Sequence, residues 1–251
     1  LLADLVLEWT RRTIRARYQQ SLLGWLWAIV QPVASVAMFT VIFTLFIPID
    51  TGGIPYPVFS YVGIIVWTLL ASALTDMTDS LVQNMTLITK IFFPRSALPA
   101  AAMLARVVDF AIGSLLLGLL MIGFNLPVNP AAMLFLPLIF ATQIALILGI
   151  GLGAAALNVF FRDVQPVMKL GLQLWFYASP IIYPVTAVPD SLKRFYYLNP
   201  MAGLIESYRD VLIEGVRPGQ YLQISAATSL VILAIGYFVF RRLEPRFADI
   251  I

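Results

Sequence analysis

Long apolar runs alternate with short polar interruptions along most of the chain. Six of them approach the roughly 20 residues that a bilayer's hydrocarbon core demands. They are Leu26–Ile47, Val58–Met77, Leu104–Phe124, Met133–Val159, Val167–Tyr183 and Tyr221–Phe240. The pattern predicts an all-α integral membrane protein with six transmembrane helices, in a single domain over residues 1–251. The fifth run is short and ends in Pro180 and Pro184, so a broken or partial crossing is expected there.

Three segments between the runs carry their own periodicity. In residues 1–24, Leu2, Leu5, Val6 and Trp9 recur at helical spacing opposite Asp4, Glu8, Arg11, Arg12 and Arg15. That pattern suits a helix lying in the membrane interface, with its arginines against anionic lipid. Residues 78–100, with SLVQNMTLITKIFFPRSALP, are too polar to span and too apolar for a free loop, which predicts a short amphipathic helix stopped at Pro94. Residues 184–220 are rich in aromatics and Pro yet helical in pattern around Leu204–Leu212, so short re-entrant helices are expected there.

Lys and Arg set the orientation, because cytoplasmic loops retain them. Arg11, Arg12, Arg15 and Arg17 precede the first run, and Lys90 and Arg95 lie between the second and third. Arg162 and Lys169 flank the turn after the fourth, and Arg241, Arg242 and Arg246 follow the sixth. All fall on one side. The opposite side has none in its two short loops and only Lys193, Arg194, Arg209 and Arg217 in its long one. Both termini are therefore expected in the cytoplasm. The chain opens on Leu1 rather than Met, so an upstream natural start is expected; the opening stretch is not a signal peptide, because its apolar part precedes its arginines.

Composition removes most chemistry. Of 251 residues, 61% are hydrophobic and 12% charged, too few charges to cover a soluble domain. There is no Cys and no His, which excludes thiol nucleophiles, His-ligated metals and the commonest general base. No catalytic residue and no metal site are assigned. No phosphate-binding loop occurs, and the only lysines are Lys90, Lys169 and Lys193. If ATP drives the protein, the ATPase is a separate polypeptide.

Asp76 and Asp79 form a DxxD at the inner end of the second run. A membrane prenyltransferase would hold magnesium and a diphosphate with such a pair, but it needs a second aspartate motif that is missing. The aspartates read instead as surface carboxylates near a helix start. Arg106 and Asp109 share a helix face and can pair, although intramembrane charges are also candidates for substrate passage. Gly149, Gly151 and Gly153 make a smooth face for close helix packing.

Phe59, Tyr61, Trp67, Trp175, Phe176, Tyr177 and Tyr183 concentrate in the outer halves of the second and fifth runs and just beyond, with Tyr196 and Tyr197 following. Two readings stay open. The rings form an interfacial aromatic belt, or they line a glycan passage in which rings meet sugar C–H faces and Tyr and Trp donors meet hydroxyls.

Several short motifs occur in order from about Arg15 to Arg209: RARYQQSLLGWLWAIVQP, YPVFSYVGIIVW, KIFFPRSALP, NVFFRD, SPIIYP and YYLNPM. Together they resemble the membrane-spanning permease subunits of polysaccharide-export ABC transporters, the exporters of O-antigen, capsular polysaccharide and teichoic acid. The resemblance implies a homodimer joined to two copies of a nucleotide-binding ATPase subunit. ATP and magnesium would sit on that partner, with no cofactor on this chain and no nucleic acid involved. It implies export of a lipid-linked polysaccharide, O-antigen foremost, across the cytoplasmic (inner) membrane of a bacterium. It also implies that the loop after the second run docks on the ATPase, through Asp79, Gln83, Leu87, Lys90, Ile91 and Arg95, with Arg162 and Asp163 beside it. Arg12, Arg15 and Arg17 are the candidates for the lipid diphosphate, since guanidinium matches phosphate oxygens in a fork. A drug or lipid exporter, a membrane prenyl- or glycosyltransferase and a passive channel are the alternatives.

Overall fold

The computed structural model describes residues 2–18, 26–90 and 93–250. The described residues form helices joined by turns and short irregular stretches, with no strand among them. Helix α1 spans Leu2–Tyr18, α2 Trp27–Val41, α3 Tyr56–Gln83, α4 Met85–Lys90, α5 Ala97–Gly123 and α6 Pro130–Met133. Then come α7 Leu136–Phe160, α8 Val164–Tyr177, α9 Asp190–Tyr196, α10 Pro200–Arg209 and α11 Gln220–Leu243. A π-helical turn, Ile42–Phe46, extends α2; another, Asp210–Glu214, extends α10, and a 3-10 segment, Glu244–Ile250, closes the chain.

Among the described residues, five helical stretches are long and apolar enough to cross a bilayer: Ile29–Phe46, Tyr56–Gln83, Ala97–Gly123, Pro130–Phe160 and Gln220–Phe247. The expected fifth crossing, Val167–Tyr183, is where the structure departs. Helix α8 has 14 residues, about 21 Å at 1.5 Å per residue, against a hydrocarbon core of about 30 Å. Pro180 cannot continue it, and the backbone after Tyr177 leaves the helix for turns through Tyr183.

Helix α3 is the axis of the fold. Its apolar window is 78% buried, whereas no other stretch exceeds 33%. An all-round apolar helix of this kind belongs in the middle of a bundle. It packs against α2, α5, α7, α8 and α10. It runs unbroken six residues past the expected end at Met77, so Asp76 and Asp79 lie within its last turns and not at a helix start. Asn84 ends it by donating its amide to the Ser80 carbonyl at 2.8 Å. The expected loop 78–100 thereby shrinks to 84–96 and contains α4, which ends at Lys90.

Helices α7 and α11 cross on two glycines. A Cβ on Gly236 would sit 1.8 Å from the Gly149 carbonyl oxygen, and one on Gly149 would sit 2.6 Å from the Leu233 nitrogen. Gly151 instead faces α3, where a Cβ would meet the Met77 side chain at 2.4 Å. The small face expected at 149–153 thus serves two neighbours, one on each side of α7.

Contacts define two ends of the bundle. At one end α1 lies against α5, with Trp9 stacked on Phe93 at 6.4 Å, and Phe247 of the terminal segment sits against Phe160 and Phe240. At the other, the α2–α3 turn meets the segment before α9, and Asn129 donates to the Gly215 carbonyl at 2.7 Å. Both chain ends share the first.

Candidate functional site

The first region with convergent polar and aromatic groups is a ring ladder across α2, α3 and α8. Phe59 meets Tyr56 at 6.2 Å, Tyr56 meets Phe43 at 5.8 Å, and Phe43 meets Phe39 at 6.2 Å. Phe39 stacks on Phe176 at 6.3 Å, and Trp67 meets Phe176 edge-on at 5.7 Å and Trp175 at 5.9 Å. Tyr177 joins at 5.3 Å from Phe176. Aromatic pairs at these separations favour offset-stacked or edge-to-face geometry, and both occur here: Phe39 stacks on Phe43 and Phe176, and Trp67 meets Trp175 and Phe176 edge-on. The expected aromatics therefore come together, but they do not all face outward. Phe59, Tyr61 and Trp67 are buried inside the subunit, Trp175, Phe176 and Tyr183 are half-buried, and Tyr177 is 62% exposed. Tyr61 donates to the Gly113 carbonyl at 3.1 Å, which explains its burial without any ligand. Phe39, Phe43 and Tyr56 belong to the ladder and were missed; the i, i+4 spacing of the two phenylalanines was the available signal.

The non-helical stretch after α8 is held by the same motifs. Tyr56 donates its hydroxyl to the Ile182 carbonyl at 2.9 Å. Arg209 donates to the Ile181 and Phe59 carbonyls at 3.0 and 3.3 Å and to Glu206 Oε1 at 2.8 Å, with its guanidinium 3.6 Å above the Phe59 ring. Gly63 makes room: a Cβ there would lie 2.6 Å from the Ile181 oxygen. Buried backbone that leaves a helix needs partners within the protein, and Arg209 supplies one for the buried Ile181. Asn199 bolts α8 to α10. Its Oδ1 accepts from Trp175 Nε1 at 2.7 Å and from Met201 N at 3.0 Å, and its amide donates to the Ala178 carbonyl at 3.1 Å and Ser179 Oγ at 3.0 Å. Tyr183 donates to the Tyr177 carbonyl and receives the Tyr196 hydroxyl, both at 3.0 Å. Burial, and then that bond, raise the Tyr196 phenol well above its ordinary pKa, so it stays a neutral donor. Deeper in, Tyr208 donates to Gln143 Oε1 and Gln143 donates to the Val66 carbonyl, each at 2.9 Å. Arg209, Gln143 and Tyr208 were invisible in the sequence, because partners far apart in the chain define them.

At the end that carries both termini, the two aspartates of the DxxD point to different partners. Asp76 accepts from Arg106 Nε and Nη2 at 2.7 and 3.1 Å, a forked pair across α3 and α5, while the expected i, i+3 partner Asp109 takes Nη1 at 3.3 Å. Asp79 accepts from Gln165 Nε2 at 2.5 Å and from Asn158 Nδ2 at 3.5 Å, and Asn158 also donates to the Thr78 carbonyl at 2.9 Å. Each aspartate is thus tied to a partner on a different helix, Arg106 on α5 and Gln165 on α8. Among the described residues no three His, Cys, Asp or Glu are placed to hold a metal. The NVFFRD stretch thus joins the end of α3 to the α7–α8 corner.

The other residues expected to couple scatter around this joint. Gln83, Lys90, Arg162 and Asp163 are exposed and Leu87 is half-buried, while Ile88 is the α4 residue that packs inward. Arg95 turns to the terminal segment, donating to the Glu244 carbonyl and lying 5.7 Å from the Phe247 ring. Arg12 stacks over Trp9 at 4.6 Å and borders a cavity of about 400 Å³ shared with Asp76, Asp79 and Gln83. Arg15 is exposed. The Arg17 side chain and Ile91 lie outside the described residues.

A bundle with five helical stretches long and apolar enough to cross a bilayer among its described residues defines a multi-pass membrane protein, and the family model for ABC-2 type transporters matches residues 5–213. The chain belongs to that family of bacterial membrane transporters, which implies a partner ATPase subunit. It is 29% identical over 250 residues to an O-antigen export system permease protein RfbA of Klebsiella pneumoniae, covering 100% of this chain and 96% of that one. It is 29% identical to the Myxococcus xanthus protein of the same name, with 98% and 94% covered. The polysialic acid transport protein KpsM of Escherichia coli is 26% identical, with 93% and 91% covered.

Proposed function

We propose that this chain is the membrane-spanning subunit of an ATP-driven exporter that moves a lipid-linked polysaccharide of the O-antigen kind across the bacterial inner membrane. The observation that carries the reading is the ring ladder, set beside relatives named for O-antigen and polysialic acid export. A ladder of flat rings offers many shallow contacts to a sliding glycan and no deep well to trap it.

In this reading α8 and the turns through Tyr183 make the expected fifth crossing, for six in all, α1 lies in the cytoplasmic interface, and α9 and α10 are re-entrant on the outer side. Both termini are cytoplasmic, as the Lys and Arg distribution supports. Two copies form a homodimer, with the exposed apolar faces of α2 and α8 (Val33, Leu45, Val167 and Leu174 among them) as the surfaces left for a second subunit. Each copy meets one ATPase subunit, which holds the ATP and magnesium. The ATPase presses on the 84–96 loop, and the Asp79–Gln165 bond relays the push from α3 to α8, whose rings meet the cargo. Tyr177, Trp175, Phe176 and Tyr183 are the rings available to the glycan; Phe59, Tyr61 and Trp67 support them from behind. Arg12, Arg15 and Arg17 meet the diphosphate on the cytoplasmic side.

The experiment is deletion of the gene and complementation with Trp175→Leu/Tyr177→Leu. Deletion should abolish a long surface polysaccharide and leave its lipid-linked precursor inside the cell. The double variant should restore short chains better than long ones. An unchanged polysaccharide profile with altered drug or lipid efflux would replace this reading with the small-molecule exporter.

A further inference from the structure

Helices α5 and α7 both pack on α3 but meet each other far less, and a cavity of about 590 Å³ occupies the gap between them. Its floor is Val62 and Val66 of α3, and its walls include Leu117 and Met121 of α5 and Leu136 and Phe140 of α7. Val62 and Val66 are one turn apart in the first half of α3, and Leu136 opens α7. The cavity therefore lies in the half of the bundle away from the termini. Its size falls within the range of small-ligand sites.

Only two side-chain hydroxyls line this space, and both are spent within the protein. Ser114 donates to the Phe110 carbonyl at 2.8 Å, and Tyr208 donates to Gln143 Oε1 at 2.9 Å. An apolar cavity without polar partners does not hold ordered water, so hydrocarbon is the filling that suits it. The gap is reachable. Ala111 and Pro137 line it and are exposed, so it opens to the outside between α5 and α7. The surface around that opening is apolar, with Leu115, Leu119 and Leu138 exposed beside it. Gly118 also lines the cavity, and nothing lies within 4 Å of a Cβ built there. Phe110 and Phe140 stack at 5.7 Å and join the two helices across the gap.

We propose that this cavity is a lipid site that takes one acyl chain of a bilayer phospholipid, laid between α5 and α7 against Val62 and Val66. The opening faces the hydrocarbon that surrounds a membrane-spanning bundle, and phospholipid chains are present there whether or not cargo is. The cavity is short, bounded by about one turn each of α3 and α7, which suits part of an acyl chain better than a long polyprenyl tail. It also lies on a different face of α3 from Phe59 and Trp67 of the ring ladder, so it is separate from the proposed glycan path. The chain fills a gap that close packing would otherwise forbid. The assignment does not depend on which cargo is exported.

The test is native mass spectrometry of the full chain with its ATPase partner in detergent, titrated with dipalmitoyl phosphatidylethanolamine and with undecaprenyl phosphate. The unmodified complex should retain one phospholipid per copy of this chain under conditions that strip the remaining lipid. Gly118→Phe puts a ring into the open space, and Ala111→Phe does so from the rim. Each should weaken retention about tenfold or more, because the apolar contact is lost. Leu115→Phe, on the exposed face with the cavity left open, should retain the phospholipid as the unmodified chain does. Copurification of the ATPase subunit checks folding, and Ala111→Phe carries the test if Gly118→Phe does not fold. Equal retention in all three variants would overturn the assignment, as would a complex that keeps no phospholipid. Displacement of the phospholipid by an equal concentration of undecaprenyl phosphate would also overturn it, and would give the cavity to the tail of the cargo.

Discussion

Trp175 on α8 donates its indole N–H to Asn199 Oδ1 at 2.7 Å, and the same oxygen caps α10 by accepting from Met201 N at 3.0 Å. One side chain thus fixes both the orientation of a half-buried ring on α8 and the start of a buried helix. Replacing an N-cap Asn by Ala costs about 0.5–2 kcal/mol, and an unpaired buried donor adds about 1–3 kcal/mol. Asn199→Ala should therefore destabilise by roughly 2–4 kcal/mol, while Trp175→Phe, which keeps the edge-on contact with Trp67, should cost only about 1 kcal/mol. Denaturant unfolding of the purified protein in detergent measures both. Equal losses in the two variants would show that Asn199 does not act as the shared joint.

The crossing of α7 and α11 gives the sharpest steric prediction. A methyl group at position 236 would overlap the Gly149 carbonyl, at 1.8 Å. Two backbones have to move apart, so Gly236→Ala should cost more than the usual 1–3 kcal/mol for overpacking. Gly118→Ala is the control, because nothing lies within 4 Å of the added Cβ. It should be neutral or stabilising by up to about 1 kcal/mol through helix propensity. Thermal aggregation of detergent-solubilised protein separates them, and a Gly236→Ala variant as stable as the Gly118→Ala variant would contradict the close crossing.

The long helices were legible because lipid imposes a length and a composition that the chain displays in α2, α3, α5, α7 and α11. Two kinds of feature were not. Helix ends shifted where polar residues found partners: Asp76 and Asp79 looked like surface groups because their neighbours in sequence do not reveal Arg106 or Gln165. The ring ladder was half-legible. A cluster of aromatics can be counted, but which ring is enclosed depends on α3 being central, and every apolar run looks alike in sequence. Several motif residues turned out to be joints: Gly63, Asn158 and Asn199 each allow or satisfy a specific backbone contact.

Asp210, at the turn after α10, predicts a pH effect. Burial pushes its carboxyl up to about 6, against the opposing bond from the Tyr221 hydroxyl. The fold thus disfavours the ionised form. Stability should be highest below the unfolded value near 4, fall as pH rises toward 6, and level off above it. Asp210→Asn keeps an acceptor for Tyr221 and removes the ionisation, so its melting temperature should lose this component between pH 4 and 6 and exceed that of the unmodified protein near pH 7. Parallel pH profiles for the two proteins would refute the assignment.

The terminal segment links the two parts that a partner ATPase would have to move together. Phe247 is fully enclosed, 6.0 Å from Phe160 at the end of α7 and 5.8 Å from Phe240 on α11, and Arg95 from the loop after α4 reaches its ring and the Glu244 carbonyl. Under the proposed coupling, a push on the 84–96 loop would be shared with α7 and α11 through one aromatic plug. Truncating a buried Phe to Ala costs about 3–5 kcal/mol, enough to threaten folding, so the informative variants are milder. Phe247→Leu fills most of the space, and Arg95→Leu removes the guanidinium at a half-buried site. Both should leave assembly and basal ATP hydrolysis near normal while lowering the polysaccharide exported per ATP consumed, by about threefold or more. The effects should be non-additive in the double variant, because the two residues act through one contact. Export per ATP equal to that of the unmodified complex in both single variants would show that the segment only packs and transmits nothing.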